Sequence, residues 1–205
     1  MSDSKDPTAA TDSRRFKLIP PEKLTPEQSA LCEAIRTGAR SKLKNSGATR
    51  PGPIGGPFNV WLRSPGVGDI VQRLGEQIRF RTSLAPKLNE MAILITARFW
   101  TSQYEWSSHY KHALAGGLDP AIAQDIAQNK RPAKMDADEA IIYDFSRELH
   151  ETKGVSDALY KKAVDRFGER GVVDLIMVNG FYTLVSMCLN VDRTPLPEGV
   201  APPLK

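Results

Sequence analysis

Residue types that can transfer protons are concentrated in the middle of the sequence. The stretch from Glu90 to Gly117 holds two of the three histidines and two of the three tryptophans of the chain. Residues three and four apart lie on one helical face, because each residue advances roughly 100° around the axis. This spacing predicts a polar stripe on one helix that consists of Arg98, Ser102, Glu105, His109 and His112. If the protein has chemistry, we expect it here.

The same residues also fit a purely structural interpretation. The segment Ser102-Gln103-Tyr104-Glu105 matches a capping box, in which Ser102 and Glu105 satisfy each other's backbone amides. Glu105 and His109 would then be only a surface pair one turn apart. Glu90 lies on a strongly apolar segment, so it is either near an exposed end or buried with a partner, because an unpaired buried charge is unfavourable. In the functional interpretation that partner is His109.

Hydrophobic periodicity predicts an all-α chain. The predicted helices cover approximately residues 26–44, 66–80, 86–100, 105–114, 120–128, 136–151, 156–167 and 169–191. The predicted organisation is a disordered tail (1–15), an N-terminal helix with a Gly/Pro-rich linker (16–57), a helical domain (58–192) and an extended C-terminal tail (193–205).

Two of the predicted helices carry patterns with structural consequences. The helix over 66–80 has Ile70, Leu74 and Ile78 along one side. The last helix is apolar around most of its circumference and is therefore expected to be buried all round. In a small helical protein this implies either a central position or burial against another subunit.

Composition narrows the possible partners and compartment. The net charge of +4 arises from 28 basic and 24 acidic residues scattered along the chain, a pattern too diffuse to predict nucleic-acid binding. Cys32 and Cys188 are far apart, match no CxxC motif and are expected to be ordinary buried thiols. No segment is expected to span a membrane, and no signal peptide is predicted, so we expect a cytoplasmic protein.

Three segments resemble the carboxymuconolactone decarboxylase family, which belongs to the alkylhydroperoxidase D-like superfamily. They read FRTSLAPKLNEMAILITARFW, QYEWSSHYKHALAGGLDP and FGERGVVDLIMVNGFYTLVSMCLN, and the resemblance extends over residues 55–198 approximately. It implies an alkylhydroperoxidase D-like helical bundle that assembles as a homo-oligomer, a trimer or hexamer.

The peroxidase branch of that superfamily has a glutamate, a CxxC pair and a histidine in sequence. The resemblance places them at Glu90, at Ser102 and Glu105 in place of the cysteines, and at His109. Peroxide reduction by that route needs an attacking and a resolving thiol, which serine and glutamate do not supply. The missing thiols disfavour peroxidase activity, and an alkylhydroperoxidase-like or peroxiredoxin-like antioxidant protein is therefore the alternative rather than the leading prediction.

The decarboxylase branch carries the glutamate and histidine four apart, as in Glu105 and His109. It implies loss of CO2 from a carboxylated lactone in aromatic-compound catabolism, without cofactor or metal. His109 would then be the general acid/base, with Glu105 as its orienting partner and Glu90 as a second carboxylate in the proton relay. Ser102 and His112 would hydrogen-bond to the substrate, and Arg98 would bind a substrate carboxylate. A pocket edged by Phe58, Trp61, Tyr104 and Trp106 is also predicted. A non-catalytic or metal-binding helical oligomer is the remaining alternative.

Overall fold

The computed structural model describes residues 12–42 and 51–205, and within them the protein is all-α with no β-strand. The helices are α1 (Pro26–Thr37), α2 (Pro57–Trp61), α3 (Pro65–Phe80), α4 (Pro86–Phe99), α5 (Gln103–Ala115), α6 (Pro120–Ala127), α7 (Ala137–Thr152) and α8 (Asp157–Asp192). Short 3-10 helices cover Pro21–Lys23 and Ala39–Lys42. The predicted fold class is confirmed.

The starts of the helices follow local sequence signals. Thr25 accepts from the amide of Gln28 and forms a capping box ahead of α1, and Asp136 does the same ahead of α7. Helix α1 ends at Thr37, earlier than predicted, because the chain turns at Gly38 into the 3-10 helix. A Cβ at Gly38 would lie 2.2 Å from Oε1 of Glu76, so a side chain here would displace the Glu76 carboxylate that accepts from the amide of Ala39. The rest of the predicted first helix, residues 43 and 44, lies outside the described residues.

Helix α4 is the centre of the molecule. All of its residues from Leu88 to Ala97 are buried, and it packs against α5, α6, α7 and α8. An apolar helix of this kind is stable only when neighbours cover its whole circumference. Because Glu90 lies in the first turns of α4, it is in the interior of the protein.

The face of α3 that packs against the protein differs from the apolar side seen in the sequence. Ile78 is buried, but Ile70 and Leu74 are 62% and 45% exposed. The packed face instead includes Gly68 and Gly75. A Cβ would lie 2.8 Å from Cδ2 of Leu31 at Gly68 and 2.5 Å from Cζ of Phe181 at Gly75, so these contacts require glycine.

The last two predicted helices join into α8, which is kinked at Gly168, where φ is 69° and ψ is 169°. The prediction that the last helix is buried all round is wrong for the single chain. After the kink one face of α8 is exposed, and its exposed large apolar side chains are Val173, Ile176, Met177, Leu184, Met187 and Val191.

The expectation that no segment is apolar enough to span a membrane also needs correction. In the described part of the chain, α8 is the one helix whose length and composition pass that test. Its best window has a mean hydropathy of 1.8, and 50% of that window is buried inside the protein. Half-burial of this kind is found in the core helix of a globular protein as well.

The two terminal segments pack onto the helical body. Asp192, which is fully buried, accepts through Oδ1 from the amide of Phe16 at 2.8 Å. Near the end of the C-terminal tail, Leu204 is buried, and its backbone amide and carbonyl form two hydrogen bonds with the side chain of Gln103. Both segments thus lie close to the start of α5.

Candidate active site

A break between α4 and α5 determines the geometry of the site. Helix α4 ends at Phe99, Thr101 adopts a φ of 47°, and the amide of Ser102 donates to the carbonyl of Ala97 at 2.8 Å. The predicted polar stripe is therefore not on one helix, because Arg98 belongs to α4. The break folds α5 back along α4 and brings His109 opposite Glu90.

His109 lies between two carboxylates, one from each helix. Its Nδ1 is 2.6 Å from Oε2 of Glu90, and its Nε2 is 3.1 Å from Oε1 of Glu105. Glu90, Glu105 and His109 are 8%, 3% and 5% exposed. We call these three residues the carboxylate–histidine triad. The structure favours the functional interpretation of Glu90 and excludes a surface pair for Glu105 and His109.

The capping-box interpretation of α5 is not supported. Ser102 is the residue before the helix, but its side chain makes no capping hydrogen bond. Its Oγ is buried and has no partner in the part of the chain that is described. A buried hydroxyl without a partner is unfavourable, so Ser102 has an unused hydrogen-bonding group at the start of α5.

The environment of the triad favours a charged histidine. Burial lowers the pKa of His109, as does Arg79, but Glu90 and Glu105 outweigh both, so the pKa is raised above its ordinary value of 6.5. Burial also raises the pKa of Glu90, but His109 and Arg79 more than offset it, and the pKa is lowered from its ordinary value of 4.5. The environment therefore favours the charged form of both His109 and Glu90.

Two further residues complete the surroundings of the triad. The Nε of Arg79, in the last turn of α3, is 3.8 Å from Oε1 of Glu90. The ring of Tyr182, on α8, packs edge-on to His109 with centroids 5.0 Å apart, and burial raises the pKa of its hydroxyl. Sequence reasoning missed both residues. Tyr182 lies within an apolar run, and Arg79 lies in the last turn of a helix whose packed face the apolar pattern did not identify.

His112 lies at the edge of the site. Its ring centroid is 6.1 Å from that of His109, and the residue is half-buried. Burial and the charge of Arg79 lower the pKa of His112 to about 4, so it is neutral at physiological pH. It is therefore available to donate or accept a hydrogen bond, as predicted for a substrate-binding residue.

The structure does not bring Arg98 to the triad. Arg98 is eight residues beyond Glu90 on α4, about 12 Å along the axis, and its Nη1 donates to Oγ1 of Thr101 at 3.4 Å. The predicted carboxylate-binding role for Arg98 at this site therefore has no geometric support. The arginine beside the triad is Arg79.

The four predicted pocket aromatics have different positions. Trp61 and Trp106 are core residues, 6% and 3% exposed. Phe58 is half-buried and packs edge-on against Trp61, with ring centroids 5.3 Å apart. The guanidinium of Arg40 lies over the Phe58 ring. Tyr104 lines a separate cavity of about 460 Å³ near the C-terminal tail. These aromatics do not form one pocket wall.

The remaining histidine and the cysteines lie apart from the triad. His150 is half-buried, with Nε2 2.9 Å from Oγ1 of Thr96. Cys32 is buried and Cys188 is half-buried, and burial raises the pKa of both thiols. Within residues 12–42 and 51–205, no group of three His, Cys, Asp or Glu side chains has an arrangement that could hold a metal ion.

Comparison with known proteins supports the fold. No family model matches the chain, and no curated protein matches its sequence. A solved structure of an uncharacterized peroxidase-related protein from Silicibacter sp. TM1040 superimposes with a TM-score of 0.69 at 15% identity, over 95% of this chain and 94% of that one. The protein therefore shares the helical fold of that peroxidase-related protein.

Proposed function

We propose that the protein is an acid/base enzyme that removes CO2 from a small carboxylated or lactone substrate without a cofactor. The observation that carries the proposal is the buried carboxylate–histidine triad. Contacts to Glu90 and Glu105 at its two ring nitrogens fix the orientation of His109, and its raised pKa favours the charged form that donates a proton. The resemblance of residues 55–198 to the carboxymuconolactone decarboxylase family supports this choice of reaction.

The proton balance of the reaction fits the charge state of the triad. The bond between the substrate and its carboxylate breaks, CO2 leaves, and the electron pair delocalises into a conjugated carbonyl group. One proton must then be added to carbon, and the His109 imidazolium supplies it. The 3.1 Å contact of Nε2 is longer than the 2.6 Å contact of Nδ1. We infer that Nε2 exchanges Glu105 for substrate while Glu90 holds the ring.

The test compares turnover of a panel of carboxylated lactones by wild type, His109→Ala and His150→Ala. His150 is the control, because it is a half-buried histidine that contacts Thr96 rather than a carboxylate. We expect His109→Ala to lose roughly 10²-fold or more in turnover and His150→Ala to stay close to wild type. Unchanged turnover in His109→Ala would remove the central claim.

A peroxidase-type antioxidant function is the second candidate, because the solved structure that shares the fold is described as peroxidase-related. The two cysteines are not at the positions of the triad and have raised pKa values, which disfavours thiolate formation. Organic-peroxide turnover that survives in His109→Ala and disappears on thiol alkylation would favour this candidate over the decarboxylase.

We also propose that the chain assembles with itself through the exposed face of α8. The exposed residues at alternating spacings of four and three are Val173, Met177, Gly180, Leu184, Met187 and Val191. This 3.5-residue period is the pattern of a helix–helix seam, and it runs for about 27 Å. In an assembly with a twofold axis, such a face packs against the same face of a second copy.

Sedimentation tests the assembly. Leu184→Glu places a charge in the seam and is expected to yield the 22.6 kDa monomer, whereas Lys161→Glu, at a 74% exposed side chain of the same helix, is expected to leave the assembly intact. The resemblance predicts a trimer or hexamer for wild type. A monomeric wild-type protein at micromolar concentration would contradict the proposal.

A further inference from the structure

The guanidinium of Arg79 is mostly buried, yet the chain uses little of its hydrogen-bonding capacity. Its side chain is 14% exposed, and its one ion pair is the 3.8 Å contact to Glu90. It also lies 5.4 Å from the centre of the Phe80 ring. Among the described residues it makes no hydrogen bond. A guanidinium has five N–H donors, and in the described residues no nitrogen of Arg79 is both fully buried and unpaired, so its unused donors are open to solvent or to a ligand.

A neighbouring arginine shows what a satisfied guanidinium looks like in this protein. Arg40 is 5% exposed. Its Nη1 donates to the carbonyl of Gln72 at 3.2 Å and lies 3.3 Å from Oε1 of Glu76. Its charge is therefore paired within the fold. Arg79 differs because its nearest carboxylate, on Glu90, already holds His109 at 2.6 Å.

His112 stands beside Arg79 at the margin of the triad. It is half-buried, and no hydrogen bond to it is found in residues 12–42 and 51–205. The positive charge of Arg79 is one of the two main influences that keep its ring neutral. The His112 ring, 6.1 Å from that of His109, and the Arg79 guanidinium, 3.8 Å from Glu90, thus both lie next to the triad, one from α5 and one from α3.

We propose that Arg79, with His112 beside it, binds an acidic group of the substrate next to His109. This inference rests on the proposed function, since it takes His109 as the proton donor. A guanidinium binds a carboxylate through two parallel N–H···O bonds and fixes its orientation. His112 supplies an additional N–H to the same group. Arg79 therefore takes the role that sequence reasoning assigned to Arg98.

The chemistry of decarboxylation identifies which acidic group this is. A carboxylate that leaves as CO2 loses its negative charge on the way to the transition state. A cation bound to that carboxylate would stabilise the ground state more than the transition state and slow the reaction. The group bound by Arg79 is therefore one that the substrate keeps, and the preferred substrates carry two acidic groups.

Binding of an acid at this position has a consequence for protonation. The two carboxylates of the triad are balanced by His109 and Arg79, so a bound anion adds an uncompensated negative charge. His112 faces Arg79 from α3, Glu90 from α4, and His109 and Lys111 on its own helix. The anion offsets the charge of Arg79 and raises the pKa of His112 from about 4. Binding near pH 6 is therefore expected to take up protons.

The experiment measures binding of acids that are not turned over, by titration calorimetry on the full chain. The probes are maleate and benzoate, with the neutral amides of the same acids as controls. The proteins are wild type, Arg79→Gln, Arg79→Lys and Arg73→Gln. Arg73 is the matched control, because it is on the same helix and its side chain is 64% exposed, with Asp69 as its partner.

We expect both acids, and neither amide, to bind to the wild-type protein. Proton uptake would appear as a measured heat of binding that changes with the ionisation enthalpy of the buffer. Arg79→Gln is expected to weaken acid binding roughly tenfold or more and to abolish the proton uptake. Arg79→Lys keeps the charge and is expected to fall between the two, whereas Arg73→Gln is expected to match wild type. Thermal unfolding of each variant establishes that the fold is retained.

Two results would overturn the inference: no binding of either acid to wild type at millimolar concentration, or acid binding in Arg79→Gln equal to that of wild type. Neither depends on turnover. If acid binding needs Arg79 but His109→Ala leaves turnover unchanged, the binding site stands and the proposed reaction fails. If His109→Ala abolishes turnover but Arg79→Gln binds acids normally, the reaction stands and the assignment of Arg79 fails.

Discussion

Replacing Glu90 by glutamine tests the carboxylate–histidine triad through stability, without knowledge of a substrate. Glu90 and His109 have side chains only 11% and 6% exposed and are joined by a 2.6 Å hydrogen bond. Removing one partner of a buried ion pair leaves the other charge uncompensated and costs about 3 kcal/mol. In a domain of this size, that corresponds to a fall in Tm of roughly 6–12 °C.

The pH dependence distinguishes the ion pair from ordinary packing. The pKa of His109 is raised in the folded state, so its stabilisation is fully present below 6.5 and is lost as pH rises through the folded pKa. The pKa of Glu90 is lowered, so its stabilisation is present above 4.5 and is lost as pH falls through the folded pKa. The difference between wild type and Glu90→Gln is therefore expected to be largest between these two values and to shrink as pH rises above 6.5.

The assay is thermal and urea unfolding of both proteins over this pH range, with Glu139→Gln as control. Glu139 is another buried glutamate, and its partner is Nζ of Lys87 at 2.9 Å. The pKa of Lys87 is raised, so Lys87 stays charged as pH rises above 6.5, and the effect of Glu139→Gln is expected to be constant there. A Glu90→Gln effect that is equally constant, or that grows above pH 6.5, would refute the charged triad.

Two further predictions concern packing and the thiols. Gly75→Ala places a Cβ 2.5 Å from Cζ of Phe181 and is expected to destabilise the protein by about 1–3 kcal/mol, measured by urea unfolding. Gly66→Ala is the control, because no atom lies within 4 Å of the added Cβ, and it is expected to be neutral or stabilising in the same experiment. Equal effects at the two glycines would contradict the close packing of α3. Because burial raises the pKa of Cys32 and Cys188, we expect native-state alkylation with iodoacetamide, followed by mass spectrometry, to be slow at both thiols and much faster after unfolding. Rapid labelling of either thiol in the native protein would favour the peroxidase alternative.

Local sequence signals determined much of the fold. Proline and capping residues mark the start of most helices, as at Thr25 and Asp136, and the apolar run around α4 predicted the central helix. The spacing of Glu105 and His109 also determined that the two side chains share a face, because residues four apart always do so on a helix. These features depend on neighbours in the chain and are therefore visible in the sequence.

The contacts that make the site depend on residues far apart in the chain, and only the tertiary structure decided them. Glu90 meets His109 because a turn at Thr101 folds α5 back onto α4, whereas Arg98 is left at the far end of α4. Arg79 reaches the triad because α3 packs through glycines rather than through its most apolar side. A helical pattern shows which residues share a face, but it does not show which face another helix will cover. That choice depends on the shapes of both surfaces, which exist only once the chain has folded.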